Sequence, residues 1–257
     1  MASDPFTTPP EVATAAQSGN NTAIIIAVVL GGLLIAALFC GGVLVALLLP
    51  ALTSAPRASQ VMQASNHLKQ VGLAFHNYHA AYQQLPLPAV TNASGEPLWS
   101  WRVALLPFVE EQPTWERWQQ DDAWNSGVNS PLLLPIPVVY RSPAEADPNT
   151  DQTHIFAVRH PRGVMSGEST LAFKDVTDGL SDTILAVWLP HRTTTWAAPE
   201  DITLPEIQAE FGKLSPPDAI LLLMGDGAVR RITQPLDDKT IEAMVTRDAG
   251  DVVGVLP

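Results

Sequence analysis

His76 and His79 stand one helical turn apart, a spacing that can hold a metal ion if a third and a fourth ligand arrive from elsewhere. Neighbouring residues supply none, although His154, His160 and His191 fall in loops or at strand ends from which they could converge. Solvated or hydrogen-bonded histidines account for the pair better, and no metal site is expected. Asp175, Asp178 and Asp182 around Gly179 offer the oxygen-rich turn that suits calcium, but short polar side chains about a glycine also describe an Asx-capped turn before a strand. The turn is the expectation. Hydrolysis needs a nucleophile held by a base, or paired carboxylates in a cleft. Ser166 in Met165-Ser166-Gly167 lacks the flanks of a nucleophile elbow, and Glu110 and Glu111 sit at a helix end, where charge is solvated. No catalytic, cofactor-binding or metal-ligating residue is therefore assigned, and no enzyme activity is expected. Trp99, Trp101, Trp115, Trp118 and Trp124 could form an aromatic surface for a solute or glycan, whereas core packing of short helices on a sheet is expected for most of them.

The elements that must position these groups follow from periodicity. Val61, Ala64, Leu68, Val71, Phe75, Tyr78 and Tyr82 recur in alternating steps of three and four, one apolar stripe on a long helix. Gln60, Gln63, Asn66, Lys69, Gln70 and Asn77 fill the opposite face, so the helix must lie on something apolar. Pro50 and Pro56 should kink or interrupt its start, and Pro86 and Pro88 should end it. Trp99 to Val109 and Thr114 to Gln119 read as short helices, broken at Glu110, Glu111 and Pro113. From Val138 the texture turns to short β-rich runs: Val138 to Tyr140, Ile155 to Val158, Thr170 to Phe173 and Thr183 to Trp188. Ile220 to Met224, then Gly225-Asp226-Gly227, then Ala228 to Ile232 predict a hairpin, because Asp-Gly supplies the positive φ that tight turns demand. Asp237 to Val245 reads as a closing helix with Asp237 as N-cap. Helix first and sheet later gives an α+β class.

From Thr22 to Leu49 there is no ionisable side chain apart from the thiol of Cys40, and about 20 apolar residues suffice to cross a bilayer as a helix. The predicted organisation is a disordered tail over residues 1–21, a single transmembrane helix over 22–49 that contacts membrane lipid, and one domain over 50–257. A cleaved secretory signal fits less well, because the tail has no basic residue and the apolar run is long for a signal core. Cys40 is the only cysteine, so no intrachain disulfide forms, and with Phe39 before it the residue does not read as a lipoprotein cleavage site. Small residues at Gly32 and Ala36, Ala37 and Gly41, and Gly42 and Ala46 could let two anchors approach, but glycine is common in membrane helices anyway, and self-association is the lesser expectation.

All 14 Lys and Arg lie at or after Arg57, with 24 of the 26 acids, so the soluble part is net −10. Such a surface repels nucleic acid, and none is expected as partner. Arg57 and Lys69, set against a tail without basic residues, would by the positive-inside rule place the domain in the cytoplasm.

Several motifs resemble a known family. The stretch Asn66-His67-Leu68-Lys69-Gln70-Val71-Gly72-Leu73-Ala74-Phe75-His76-Asn77-Tyr78-His79, followed by Tyr82 and Pro86, is similar to the hallmark of domain-of-unknown-function family 1559, abundant in planctomycete bacteria. Further matches run in order: Ser100-Trp101-Arg102-Val103 with Leu106-Pro107-Phe108-Val109-Glu110, then Tyr140-Arg141-Ser142-Pro143. Phe173-Lys174-Asp175-Val176-Thr177-Asp178-Gly179-Leu180-Ser181-Asp182-Thr183 and Gly225-Asp226-Gly227-Ala228-Val229-Arg230 complete the set. The resemblance implies a pilin-like fold, its long N-terminal helix embedded in the membrane at its start and packed on an antiparallel sheet. It also implies export of the domain across the cytoplasmic (inner) membrane, against the weak charge bias, and possible contacts with other envelope proteins. It carries no activity. Where the family usually has two cysteines, this chain has Ala64 and Ser142, as if a paired bridge had been lost.

A pseudopilin subunit of a secretion or pilus system and a solute- or glycan-binding envelope module are the competing readings. Prepilins are cut after a glycine before the apolar segment and carry a glutamate at the fifth position of the new chain. Here Gly19 is followed by Asn20, Asn21, Thr22, Ala23 and Ile24. The assembly carboxylate is missing, and the expectation is an uncleaved protein that does not polymerise through its anchor.

Overall fold

The computed structural model describes residues 19–250 except 144, 146, 148, 168 and 169; the side chains of 19–23, 40 and 43–56 lie outside the description, as do the sequence-predicted tail and the ends of the 22–49 span. The chain divides into two compact units, residues 1–53 and 54–257. Helical backbone α1 is assigned to Gly19–Tyr82, so the helix is not interrupted at Pro50 or Pro56. Among the described residues no helix is long and apolar enough to cross a membrane. Within the first unit the contiguous described run is Ile24–Phe39, shorter than the ~20 residues a crossing needs. Its apolar side chains are exposed, Leu38 by 68% and Phe39 by 72%.

The second unit is α+β. A hairpin of β1 (Ala89–Thr91) and β2 (Pro97–Ser100) leads into α2 (Trp101–Ala104), a 3-10 turn over Leu106–Phe108 and α3 (Gln112–Arg117). Short strands β3 (Gln152–Thr153), β4 (Ile155–Phe156) and β5 (Val158–Arg159) follow, then β6 (Ile184–Trp188), β7 (Thr194–Thr195), β8 (Ile202–Thr203) and α4 (Leu204–Lys213). The order closes with β9 (Ile220–Met224), β10 (Val229–Ile232) and α5 (Asp238–Val245). The central sheet has the order β10-β9-β6-β4 with every pair antiparallel.

Both faces of that sheet are covered, which is why β6 and β9 read as unbroken apolar runs rather than alternating ones. Leu221 and Leu223 join Leu68, Val71, Ala74 and Phe75 of α1 on one face. Ile220, Leu222 and Met224 meet Ile207 and Phe211 of α4 and Ile241 and Met244 of α5 on the other. In β6 the register shifts between Ile184 and Ala186, a bulge that turns Leu185 and Ala186 to the α1 side. The predicted stripe is buried from Ala64 to Phe75, while Val61 and Tyr78 are half-buried and Tyr82 is exposed. Gln63, Asn66, Lys69 and Gln70 are exposed as their face requires.

The hairpin turn and the α5 cap form as read: Gly227 has φ +84, and Asp237 accepts the amide hydrogen of Thr240 at 3.0 Å. Other expectations need correction. Trp99 belongs to β2 rather than to a helix, and Pro113, taken as a break, occupies the first turn of α3, where its missing N–H costs nothing. Val138 to Tyr140 is a turn, closed by Tyr140 N–H to Pro137 O at 2.9 Å, because proline at 137 cannot join a ladder. Thr170 to Phe173 forms no strand: the Asp175 carboxylate accepts Ala172 N–H at 2.8 Å and draws Phe173–Asp175 into a 3-10 turn. The unread α4 starts at a capping box in which Glu206 accepts from Thr203 N–H and Oγ1 at 2.8 Å. Its carboxyl is held down to about 2 by the Arg192 hydrogen bond and then by the Thr203 amide.

Two glycines give opposite predictions. A Cβ on Gly225 would sit 2.9 Å from Leu180 O and 3.1 Å from Leu180 Cα, both backbone atoms, whereas a Cβ on Gly212 in α4 meets nothing. Gly225→Ala should cost about 1–3 kcal/mol as overpacking, and Gly212→Ala should stabilise by up to ~1 kcal/mol. Urea unfolding of the two variants checks both signs.

Candidate functional site

Arg102 is the most enclosed charge in the second unit. Ser100 caps α2, its hydroxyl accepting Arg102 N–H at 3.3 Å and Nη1 at 2.6 Å. Nε and Nη2 donate to Ile155 O at 2.9 and 2.6 Å, Nη1 to Ala198 O at 3.4 Å, and Nη2 to Asp201 Oδ1 at 2.9 Å. That occupies all the donors of a guanidinium. The plane lies 4.8 Å over the Trp101 ring, and Tyr140 donates its hydroxyl to Arg102 O at 2.8 Å. Burial lowers the Arg102 pKa and Asp201 opposes this, yet a guanidinium stays charged. Asp201 Oδ1 also accepts Ala157 N–H and Trp101 Nε1–H. With every guanidinium donor taken and only the buried Asp201 Oδ2 left without a partner, Arg102 and Asp201 tie β2, β4 and the segment before β8 together. Asp201 lies 99 residues along the chain and carried no local signal in the sequence.

Gly72, His76 and the motif residues of the 173–183 and 225–230 segments meet where α1 crosses the hairpin turn and the 173–183 loop. A Cβ on Gly72 would stand 2.7 Å from Leu223 Cδ1 and 3.4 Å from Gly227 Cα, so the motif glycines let helix and turn touch. His76 stacks on Phe173 at 4.5 Å, its buried Nε2 without a hydrogen-bond partner and facing Gly227. His79 Nε2 accepts Phe173 N–H at 3.4 Å. Thr183 Oγ1 donates to Gly179 O, Gly179 having φ +105, and Thr177 Oγ1 donates to Arg247 O. Asp226 accepts Ala228 N–H inside the turn. Leu68 is core and Pro107 opens the 3-10 turn, while Asn66, Lys69, Gln70 and Asn77 face solvent. Ala64 and Ser142 are both buried, and His67 Nδ1 lies 3.2 Å from Arg141 O, linking the same two segments.

The candidate ligand sets do not gather. Asp175 caps the Ala172 amide, Asp178 accepts Ala249 and Gly250 N–H at 2.7 and 2.8 Å, and Asp182 pairs with Arg230 at 3.3 Å. Each carboxylate points to a different segment, as turn capping requires. His154 is buried with Nδ1 2.8 Å from Leu189 O, and burial lowers its pKa; His160 Nδ1 accepts Arg162 N–H; His191 meets Asp218 at the surface. Among the described residues no three His, Cys, Asp or Glu side chains group as a metal site. Ser166 Oγ makes no hydrogen bond among the described residues, and Glu111 accepts from Thr114 Oγ1 at 3.0 Å.

The tryptophans divide. Trp101 and Trp118 are core, Trp118 against Trp196 at 5.9 Å, and Trp124 is half-buried. Trp99 and Trp115, ring to ring at 6.2 Å and 81°, join Tyr78 and Tyr82 around an open cleft of about 230 Å³ at the end of α1. Gln84, Gln120 and Thr170 complete its polar margin, and none of its described lining residues is charged. Sequence reasoning placed Tyr78 and Tyr82 on the core stripe and did not connect them with Trp99 and Trp115. The available signal was the stripe's length, which carries it past the sheet.

No curated protein and no solved structure matches the chain. The model of the family described as a protein of unknown function (DUF1559) matches residues 54–160. The match contains the α1 hallmark, the Trp101-Arg102 block and Tyr140 to Pro143, and the later motif blocks pack directly on it. Residues 54–160 are thus similar to domain-of-unknown-function family 1559.

Proposed function

We propose that this is a non-enzymatic, single-pass protein of the cell envelope, anchored in the cytoplasmic membrane by residues 22–49 and displaying an exported pilin-like domain that serves structure or interaction. The observation that carries the reading is the run from Thr22 to Leu49, which lacks any charged side chain. The exposure of Ile24, Leu34, Leu38 and Phe39 on its described part gives this helix an uncovered apolar surface suited to lipid. Packing of α1 on an antiparallel sheet supports the pilin-like comparison. The use of Arg102, His79, Asp175, Asp178 and Asp226 in internal hydrogen bonds supports a scaffold role for the motifs.

Alkaline carbonate extraction tests the anchor. The full chain should stay with the membrane pellet, and a variant lacking 22–49 should move to the supernatant. Release of the full chain by carbonate would remove the anchor from the account.

A further inference from the structure

We propose that the cleft at the end of α1 binds the end of a neutral carbohydrate chain. Its walls are aromatic: Tyr78, Tyr82, Trp99 and Trp115. Such faces suit the apolar C–H faces of a pyranose, while rim amides from Gln84 and Gln120 suit its hydroxyls. The absence of charge among the described lining residues argues against phosphates, carboxylates and amines, which would be desolvated there without a counter-charge. A wholly apolar ligand would bury those amides unpaired.

The polar groups are free to act. The hydroxyls of Tyr78 and Tyr82, the Trp115 indole N–H and both glutamine amides have no hydrogen-bond partner among the described residues, so a ligand need not displace an internal bond. The walls are also fixed in advance, which limits the entropy lost on binding. Trp99 Nε1 donates to Gln120 O at 2.9 Å, and Phe108 buttresses Tyr78 and Tyr82 at 5.7 and 6.1 Å. At about 230 Å³ the cleft is smaller than the ~300–1,000 Å³ of pockets that engulf a ligand. It therefore takes a chain end and leaves the rest in solvent. This inference does not depend on the membrane anchor, since the cleft lies wholly within residues 54–257.

The test uses the full chain in a zwitterionic detergent without a sugar headgroup, titrated with cellohexaose, laminarihexaose, xylohexaose, mannohexaose, maltohexaose and chitohexaose. Polygalacturonate serves as the charged control. At least one neutral oligosaccharide should shift the tryptophan fluorescence saturably and with little dependence on salt. Trp115→Ala and Tyr82→Ala should each weaken that binding by about tenfold, with melting temperatures close to that of the parent. Should either variant fail to fold, Gln84→Ala and Gln120→Ala at the rim should still weaken binding. No response to any neutral oligosaccharide, a response to polygalacturonate alone, or binding unchanged in the folded variants would overturn the proposal.

Discussion

Arg102→Met is expected to destabilise the second unit by about 3–5 kcal/mol, because it leaves Asp201 as a buried carboxylate without its counter-ion. Both side chains are almost fully buried, 0% and 1% exposed, so solvent does not screen the loss. Asp201→Asn should cost a similar amount from the other side, stranding a cation whose remaining bonds go to neutral oxygens. Natural domains hold only about 5–15 kcal/mol in total, so either variant should accumulate poorly. The double variant should recover part of the loss, since a buried ion pair contributes less than the cost of breaking it on one side. Urea unfolding of the two single variants and the double completes the cycle. Single-variant losses below about 1 kcal/mol would show that the pair is not the tie described.

Phe75→Ala is expected to cost about 3–5 kcal/mol, as deletion of a buried aromatic does. The ring is fully buried and 5.1 Å from the Trp101 ring, which in turn lies under the Arg102 guanidinium. Phe75 thus connects the α1 stripe to the ion pair, and the effects of Phe75→Ala and Arg102→Met should not be additive. Asn77→Ala, on the exposed face, should stay within ~0.5 kcal/mol. Equal losses for Phe75 and Asn77 in chemical denaturation would mean that α1 does not lie on the sheet by this face.

What the sequence made legible was local and periodic. The α1 stripe from Ala64 to Phe75, the 225–227 turn and the Asp237 cap each depend on residues within a few positions of one another, and each forms where expected. Covering of the second sheet face was less visible. The apolar runs of β6 and β9 are those of strands buried on both sides, yet α4 buries only Ile207 and Phe211 within ten residues, with Leu204 half-buried beside them, too sparse a pattern to read without knowing the capping box at Thr203. Strand readings failed where one side chain or a proline overrode propensity, as Asp175 does at Ala172 and Pro137 does before Val138. The sites were harder still. Arg102 finds Asp201 across 99 positions, and the cleft joins the end of α1 to Trp99 and Trp115 through tertiary packing with no periodic signature. The histidine and aspartate motifs, attractive as ligand sets, dispersed because short polar side chains in loops first satisfy backbone amides nearby.

The claim that the domain is displayed outside the cytoplasmic membrane is tested most directly by adding protease to spheroplasts of cells that make the full chain. The account predicts that residues from Pro50 onward are digested while a cytoplasmic marker survives. Protection of the domain until the membrane is broken would contradict it and place the domain in the cytoplasm, as the positive charges at Arg57 and Lys69 would have it.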